Sequence, residues 1–294
     1  MKKAILATDL SKASDLLMEC VPQFKALGIE HITVFHAATI SFNYMEYSGY
    51  SMMVHIEARM INMRNKMREQ GIESDIVLKE GLPSQEIIDF AALHPDALII
   101  MGSKGSGFAK RNLIGSTTLR VIQQSQSPVL MIRIKHLGRN AMGEEECVLE
   151  TRDLLSHGLL LTDFSQNSGL AFNYLKENLA AHFEQLSLLH VQDTVALRHH
   201  DKETLARFNQ IDRGRLEKMA EEIGDAAKTP VSKILAEGAI VPEIMREVKL
   251  NLVSLIIMGT HGRSHFSDIV LGSTVFPVIQ LVESNCLLIP LKQE

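Results

Sequence analysis

The chain has 294 residues, 46% of them hydrophobic and 22% charged, and its formal net charge is −5 at pH 7. That length is enough for two domains of ordinary size, each with a buried core. The acidic balance, the 5% aromatic content and the lack of Trp argue against a nucleic-acid-binding protein, because such proteins need a basic surface and aromatic platforms for bases.

The first half alternates strand-like and helix-like patterns. Strands are predicted at Ala4–Ala7, His31–His36, Asp75–Leu78, Ala97–Met101 and Val129–Ile134. Helices are predicted at Ser11–Leu27, Val54–Gln70 and Ser84–Leu93, with another starting near Ser116. Ser11 is a predicted N-cap, Gly28 and Gly71 are predicted C-terminal stops, and Pro22 is expected to kink the first helix.

The second half repeats this order. Its strands are predicted near Leu159–Leu161, Gln185–Leu189, Val231–Leu235, Leu252–Met258 and Leu287–Leu291. Strands separated by helices form parallel βαβ units. The predicted fold class is therefore α/β, with two tandem doubly wound, five-stranded, Rossmann-like domains. Residues 136–156 have no counterpart in the repeat and are predicted to link domains at 1–135 and 157–294.

Landmarks recur in the same order in both halves. Thr8-Asp9-Leu10-Ser11 returns as Thr162-Asp163-Phe164-Ser165, and His36 returns as His190, both 154 residues later. The pattern G-x2-G-x9-G-S, which begins at Gly102, returns at Gly259, 157 residues later. A repeat of this length indicates two whole domains rather than a solenoid of short units.

Each glycine pattern directly follows an apolar strand. Gly102, Gly105 and Gly115 let the backbone approach an anion, and the helix beginning at Ser116 directs N–H groups toward it. The alternative is a tight turn with a capped helix and no ligand. In a doubly wound sheet, ligands bind at the carboxyl ends of the strands, so Asp9 is a candidate for binding ribose hydroxyls or for capping the next helix.

Histidines and cysteines give little sign of catalysis or metal binding. We interpret His36 and His190 as strand-end imidazoles held by backbone groups, because no carboxylate or nucleophile recurs at the spacing of a triad. The adjacent His199 and His200 point apart on a helix, so no catalytic residue and no protein metal site is predicted. The three cysteines are single and widely spaced, as is typical of a reduced cytosolic chain.

The N-terminal apolar run is interrupted at Thr8-Asp9, too early for a signal sequence, and no run approaches a membrane span. We therefore expect a cytoplasmic protein without a membrane or nucleic-acid partner.

Taken together, strand–Thr-Asp-x-Ser, strand–His and strand–Gly-x2-Gly-x9-Gly-Ser resemble the universal stress protein family, and the chain is similar to a tandem form of it. In the ATP-binding branch of that family, the acidic residue after the first strand lies near the ribose. The residue after the strand-two His meets adenine through its backbone, and the glycine loop with the following Ser/Thr holds the phosphates.

The resemblance implies one cofactor-binding site at Asp9, Ala37, Met101, Gly102, Gly105, Gly115, Ser116 and Thr117. It implies a second at Asp163, Val191, Met258, Gly259, Gly262, Gly272, Ser273 and Thr274. It also implies that the last strands, Val129–Ile134 and Leu287–Leu291, pair within one chain and imitate a homodimer. Association of two chains and an unknown protein partner are left open.

The two loops differ in charge. The first carries Lys104, Lys110 and Arg111, whereas the second carries His261, Arg263, His265 and Asp268, with Asp268 aligned to Arg111. Pro277 is expected to distort the start of the helix after the second loop. We therefore predict that the first site binds triphosphate more tightly.

These features predict an adenine-nucleotide (ATP)-binding stress-response regulatory protein, with or without Mg²⁺, that is at most a slow ATPase. No Walker motif G-x4-G-K-[ST] occurs, nor the Ser-Gly-Gly-x-Asp-Ser and His-x-Gly-His loops expected of adenylating enzymes. The alternative is an interaction or scaffold module of the same fold that binds no nucleotide.

Overall fold

The computed structural model describes residues 2–38, 48–105, 114–140, 145–224, 226–261 and 271–291. The chain divides into two compact units between Arg152 and Asp153. In each unit the described strands include a sheet of parallel strands alternating with helices. This confirms the predicted α/β fold class with two Rossmann-like domains.

The main sheet of the first domain contains β1 (Lys3–Ala7), β2 (His31–Ala38), β3 (Glu73–Glu80), β4 (Ala97–Gly102) and β5 (Val129–Ile132). The order is β3-β2-β1-β4-β5, and each neighbouring pair is parallel. Every residue of β4 and β5 is buried, as expected for strands covered on both faces. The chain winds in opposite directions from β1, so the topological switch point lies between β1 and β4.

The helices of the first domain are α1 (Lys12–Asp15), α2 (Val21–Ala26), α3 (Ser48–Glu69), α4 (Pro83–Ala92) and α5 (Ser116–Gln124). Ser11 caps α1 by accepting a hydrogen bond from Ser14 N, as predicted. The single helix expected over Ser11–Leu27 is wrong, because a 3-10 turn at Leu16–Cys20 separates α1 from α2. Pro22 lies in the first turn of α2, where its missing N–H costs no intrahelical bond.

Two glycines end the helices where the sequence predicted. Gly28 has φ 82° and Gly71 has φ 76°, in the left-handed region that commonly follows a helix. Helix α3 begins at Ser48, six residues before the predicted start. Gly49 is a poor helix former, so helix propensity does not predict this first turn.

The segment predicted as a linker contains an antiparallel pair of strands, β6 (Ile134–Arg139) and β7 (Glu145–Leu149). Ile134 and Leu149 pair at its base, and the register shifts beside Gly138, whose φ is 120°. The start of β6 is hydrogen-bonded to the first glycine loop, since Ile134 N donates to Ser103 Oγ at 3.0 Å. The segment therefore has a fold of its own, and the domain boundaries given above stay a prediction.

The second domain repeats the arrangement. Its strands are β8 (His157–Leu161), β9 (Gln185–Asp193), β10 (Val231–Gly238), β11 (Leu255–Gly259) and β12 (Asn285–Ile289), in the parallel order β10-β9-β8-β11-β12. Its helices are α6 (Gln166–Asn178), α7 (Lys202–Gly224), α8 (Ile240–Leu250) and α9 (Val275–Leu281). The two halves therefore share the order and pairing of their strands as well as their sequence motifs.

Helix α7 offers a test of local stability. Gly214 lies in the middle of this helix, is exposed, and has no heavy atom within 4 Å of the position a Cβ would take. Gly214→Ala is expected to raise the free energy of unfolding by about 1 kcal/mol, because alanine loses less backbone entropy in a helix. Urea unfolding followed by circular dichroism measures this, and a lowered unfolding midpoint would contradict it.

Candidate functional site

The same turn follows the central strand of each sheet. Thr8 Oγ1 accepts a hydrogen bond from Leu10 N at 3.0 Å, and Asp9 Oδ1 accepts one from Ser11 N at 3.0 Å. Leu10 has φ 58°. The second domain repeats these bonds with Thr162, Asp163, Phe164 and Ser165. Because Ser11 caps the helix, the Asp9 carboxylate is not the N-cap of α1 and lies at the end of the strand.

The end of β2 presents backbone groups to the same crevice. Thr8 N donates to Phe35 O at 2.9 Å, at the end of β1. Peptide groups alternate in direction along a strand, so the N–H and C=O of Ala37 point to this same edge beyond the end of β1. Thr162 N donates to Leu189 O at 3.0 Å, and Val191 is placed in the same way.

The two strand-end histidines are held by backbone carbonyls. His36 Nδ1 lies 2.8 Å from Thr8 O, and His190 Nδ1 lies 2.8 Å from Thr162 O. A carbonyl oxygen can only accept, so Nδ1 carries the proton in both rings. This confirms the interpretation of these histidines as residues satisfied by the backbone.

Hydrogen bonds close the first glycine loop at its base. Gly115 N donates to Ser103 O at 2.9 Å, and Thr118 Oγ1 donates to Gly102 O at 2.8 Å. Gly115 is the N-cap of α5, and the first intrahelical bond runs from Leu119 N to Gly115 O. The N–H groups of the first helical turn therefore have no intrahelical acceptor and favour an anion at this end.

The three glycines of this loop have different roles. A Cβ on Gly102 would lie 2.7 Å from Ile134 Cδ1, and a Cβ on Gly105 would collide with the Asp9 carboxylate. A Cβ on Gly115 would lie no closer than 3.7 Å to its neighbours, an ordinary contact distance. Packing therefore explains Gly102 and Gly105, whereas the protein itself leaves room for a side chain at Gly115.

These groups surround a cavity of about 640 Å³, a size typical of small-molecule sites. It is lined by all eight residues that the resemblance implied for the first site: Asp9, Ala37, Met101, Gly102, Gly105, Gly115, Ser116 and Thr117. Pro83 and Ile87 add an apolar wall. The structure brings the predicted residues together, while their role in binding stays a prediction.

Lys104 also lines this cavity and is 6% exposed. Its burial lowers the pKa of the ammonium group, and nearby Arg133 lowers it further, while Cys147 and Glu150 raise it. Lys104 is thus a buried lysine of the loop, and its neighbours Arg133, Cys147 and Glu150 lie around the β6–β7 pair. The other predicted loop cations, Lys110 and Arg111, lie outside the described residues.

A second cavity of about 660 Å³ occupies the equivalent place in the second domain. It is lined by seven of the eight predicted residues: Asp163, Val191, Met258, Gly259, Gly272, Ser273 and Thr274. The eighth, Gly262, and the predicted loop residues Arg263, His265 and Asp268 lie outside the described part of the chain. His261, which occupies the position of Lys104, lines the cavity.

The helix after the second loop starts late. Helix α5 begins at Ser116, but α9 begins at Val275, two residues after the matching Ser273. Val275 N donates to Gly272 O at 3.0 Å, a turn rather than a helical bond. Pro277 has no N–H to donate to Ser273 O, so the helical hydrogen bonds are interrupted there, and the preceding bond from Phe276 N to Gly272 O is long at 3.4 Å. This confirms the predicted distortion.

The sequence model of the universal stress protein family matches residues 1–133 and 158–290. The chain belongs to the universal stress protein family. The two separate matches, one in each half, show a tandem member.

This universal stress protein is 25% identical over 156 residues to universal stress protein MJ0577 of Methanocaldococcus jannaschii, a match that covers 46% of the chain and 96% of that relative. It is 33% identical over 72 residues to universal stress protein YxiE of Bacillus subtilis, covering 24% of the chain and 49% of YxiE. A solved universal stress protein of Archaeoglobus fulgidus DSM 4304 covers 97% of both chains with a TM-score of 0.73 at 24% identity, which supports the shared fold.

The second cavity of this universal stress protein holds a polar cluster that the sequence analysis missed. Asp212 on α7 is 9% exposed, and its Oδ2 accepts from Gln192 Nε2 at 2.8 Å. Arg215 Nη1 donates to Asp212 Oδ1 at 3.2 Å, and His190 Nε2 lies 3.6 Å from Asp212 Oδ2. The sequence did contain one indication that Asp212 is buried. It precedes the buried Leu216 by four residues, so both side chains lie on the same face of α7.

The described residues contain no group of three or more His, Cys, Asp or Glu side chains that can hold a metal ion. No helix in the described ranges has the length and apolar character needed to cross a membrane.

Proposed function

We propose that the first domain of this universal stress protein binds an adenine nucleotide, ATP in particular, and that binding regulates a stress response with little or no hydrolysis. One observation carries this proposal. A carboxylate, a strand-edge peptide group, a glycine loop that carries Lys104 and a helix N-terminus line one cavity of about 640 Å³, although they come from four separate segments.

Each part of the nucleotide has a partner of matching chemistry. The Ala37 peptide offers one donor and one acceptor, which match N1 and the amino group of adenine. The Asp9 carboxylate accepts hydrogen bonds from ribose hydroxyls. The helix N-terminus at Ser116 and the Lys104 ammonium favour the negative phosphates. This order agrees with the arrangement that the family resemblance implies.

The same cavity offers little for rapid hydrolysis. Among the described residues that line it, Asp9 supplies the carboxylate, and we assign that group to the ribose, which leaves no second acidic residue in this described lining to activate a water. We propose that Mg²⁺ enters with the phosphates rather than at a preformed protein site, since this ion usually retains waters and phosphate ligands. Binding without fast turnover is typical of a regulatory protein.

The second domain has the same motifs, but the part of its cavity that would hold the phosphates offers fewer favourable groups. His261 stands where the first loop has Lys104, and α9 starts two residues late. We therefore propose that the second cavity binds triphosphate less tightly than the first.

The proposal is tested by denaturing the purified protein and identifying the released small molecules by mass spectrometry. Adenine nucleotide at about one per chain is the expected result. Folded protein that releases no nucleotide and gives no heat when titrated with ATP would support the scaffold alternative.

The Lys104 ammonium makes ATP binding depend on pH. Because the pKa of Lys104 is lowered, ATP affinity is expected to fall as the pH rises through that pKa, where binding must take up a proton. Lys104→Met is expected to weaken ATP binding roughly tenfold, about 1.4 kcal/mol, and to remove this slope. Calorimetry in buffers of different ionisation enthalpy measures the proton uptake, and an unchanged slope in the variant would rule out this role of Lys104.

We also propose that nucleotide occupancy governs association with a protein partner. Pairing of the two last strands within the chain, dimerisation and a cytoplasmic location stay predictions. Sedimentation velocity with and without ATP tests the dimer.

A further inference from the structure

We propose that the cavity of the second domain is a receptor for an uncharged purine nucleoside rather than for a polyphosphate nucleotide. The inference rests on the proposed function, because it assigns the base and ribose to the same strand ends as in the first domain. It differs in the phosphate end and in the groups that contact the base.

At the phosphate end, an internal oxygen occupies the loop. Asn167 is fully buried, and its amide oxygen packs directly against Gly259. His261 N is directed to Asn167 Oδ1 at 3.5 Å. The first domain has Ala13 at the position of Asn167. A loop N–H that would face a phosphate therefore faces a protein carbonyl, whose partial negative charge repels an anion.

The charges around the second cavity also disfavour phosphate. Its described lining includes three carboxylates, from Asp163, Asp193 and Asp212. The Arg215 guanidinium is engaged by Asp212 at 3.2 Å and lies 5.1 Å from the centre of the Phe164 ring. The described lining of the first cavity includes one carboxylate, from Asp9, and one lysine, Lys104. The described part of the second cavity's lining would therefore oppose a triphosphate with a net negative charge.

The remaining groups match a nucleoside. Apolar side chains from α7, α8 and the turn after β9 line the cavity: Leu197, Phe208, Ile211, Ile240 and Ile244. These surfaces suit the faces of a purine. The carboxylates are acceptors, and adenosine supplies an amino group and ribose hydroxyls as donors.

Asp212 distinguishes this cavity from the first. Arg215 packs on the Phe164 ring, and Arg59 donates to the carbonyl of Leu10 at the equivalent turn. Counting back three residues from each arginine matches Asp212 to Ile56, an apolar residue. The second domain therefore has a buried acceptor where the first has a hydrocarbon side chain. Asp212 also accepts a hydrogen bond from Gln192 Nε2. The amide oxygen of Gln192 is therefore a further acceptor in this cavity.

The experiment is a set of calorimetric titrations with adenosine and ATP. Wild type is expected to bind one adenosine per chain. Gly115→Ala is expected to retain that adenosine site and to lose tight ATP binding. Asp212→Ile, which installs the first domain's residue, is expected to weaken adenosine at least tenfold and to leave ATP unchanged. A gain-of-function variant, His261→Lys with Asn167→Ala, is expected to bind a second ATP.

The outcomes separate the two proposals. Failure of wild type to bind ATP overturns the function proposed for the first domain, whatever adenosine does. Loss of adenosine binding in Gly115→Ala, or an unchanged adenosine affinity in folded Asp212→Ile, overturns the nucleoside receptor. If Asp212→Ile does not fold, the His261→Lys, Asn167→Ala variant provides the test. Binding of only one ATP per chain by that variant would contradict the nucleoside receptor.

Discussion

Replacing Gly115 with alanine is expected to weaken ATP binding by about 100-fold while leaving the free energy of unfolding unchanged. Gly115 has φ −60°, which any residue adopts, and its Cβ would make only ordinary contacts, with Ser103 O at 3.7 Å, Thr118 Oγ1 at 3.8 Å and Gly105 N at 3.9 Å. The methyl group would project into the space between the loop and the helix N-terminus. It would thus displace the phosphates without straining the protein.

Calorimetry and urea unfolding on the same preparation measure both quantities. Gly214→Ala is the matched control, because it adds the same methyl group to a helix of the second domain that carries no part of this loop, and it should leave ATP affinity unchanged. Gly272→Ala should cost much less ATP affinity than Gly115→Ala. Equal losses from the two loop variants would refute the asymmetry between the domains.

Replacing Gly259 with alanine is expected to lower the free energy of unfolding by about 2 kcal/mol or more, the cost typical of overpacking. Its Cβ would overlap the amide oxygen of Asn167, and would lie 2.7 Å from Asn167 Cγ and 3.0 Å from the Asn167 backbone oxygen. The backbone oxygen belongs to the first turn of α6, so relief requires the helix to move. The same substitution is thus expected to leave stability unchanged at Gly115, the third glycine of the first loop, and to lower it at Gly259, the first glycine of the second loop.

The cause of this loss is tested by a double-mutant cycle. Asn167→Ala removes the overlapping amide, so Gly259→Ala should cost clearly less in that background. Rescue should be partial, because the backbone oxygen of Asn167 remains. Urea midpoints of the four proteins give the coupling energy. Equal costs in both backgrounds would show that Asn167 is not the obstacle.

The duplicated fold was predictable because its signals are local. Apolar runs such as Ala97–Met101 mark buried parallel strands, and the recurrence of Gly102 as Gly259 at a fixed offset revealed the repeat. Errors arose where a local signal was weak. The 3-10 turn at Leu16–Cys20 has no distinctive composition, and the strand alternation at Ile134–Arg139 is obscured by a register shift and Gly138.

The candidate site was predictable to the extent that its residues sit at strand ends. The sequence placed Asp9 and Gly115 at the same edge because parallel strands share one carboxyl edge. Asp212 was missed because it comes from the middle of a helix and meets His190 only through tertiary packing. The separate roles of Gly102 and Gly115 also required side-chain positions, since only the structure shows that Ile134 packs against Gly102.

The central claim is that the first domain binds ATP at the strand ends around Asp9 and Gly115. Isothermal titration of wild-type protein with ATP tests it most directly. We expect one tight site per chain, with any second site much weaker. A folded protein that gives no binding heat, or two sites of equal affinity, would contradict it.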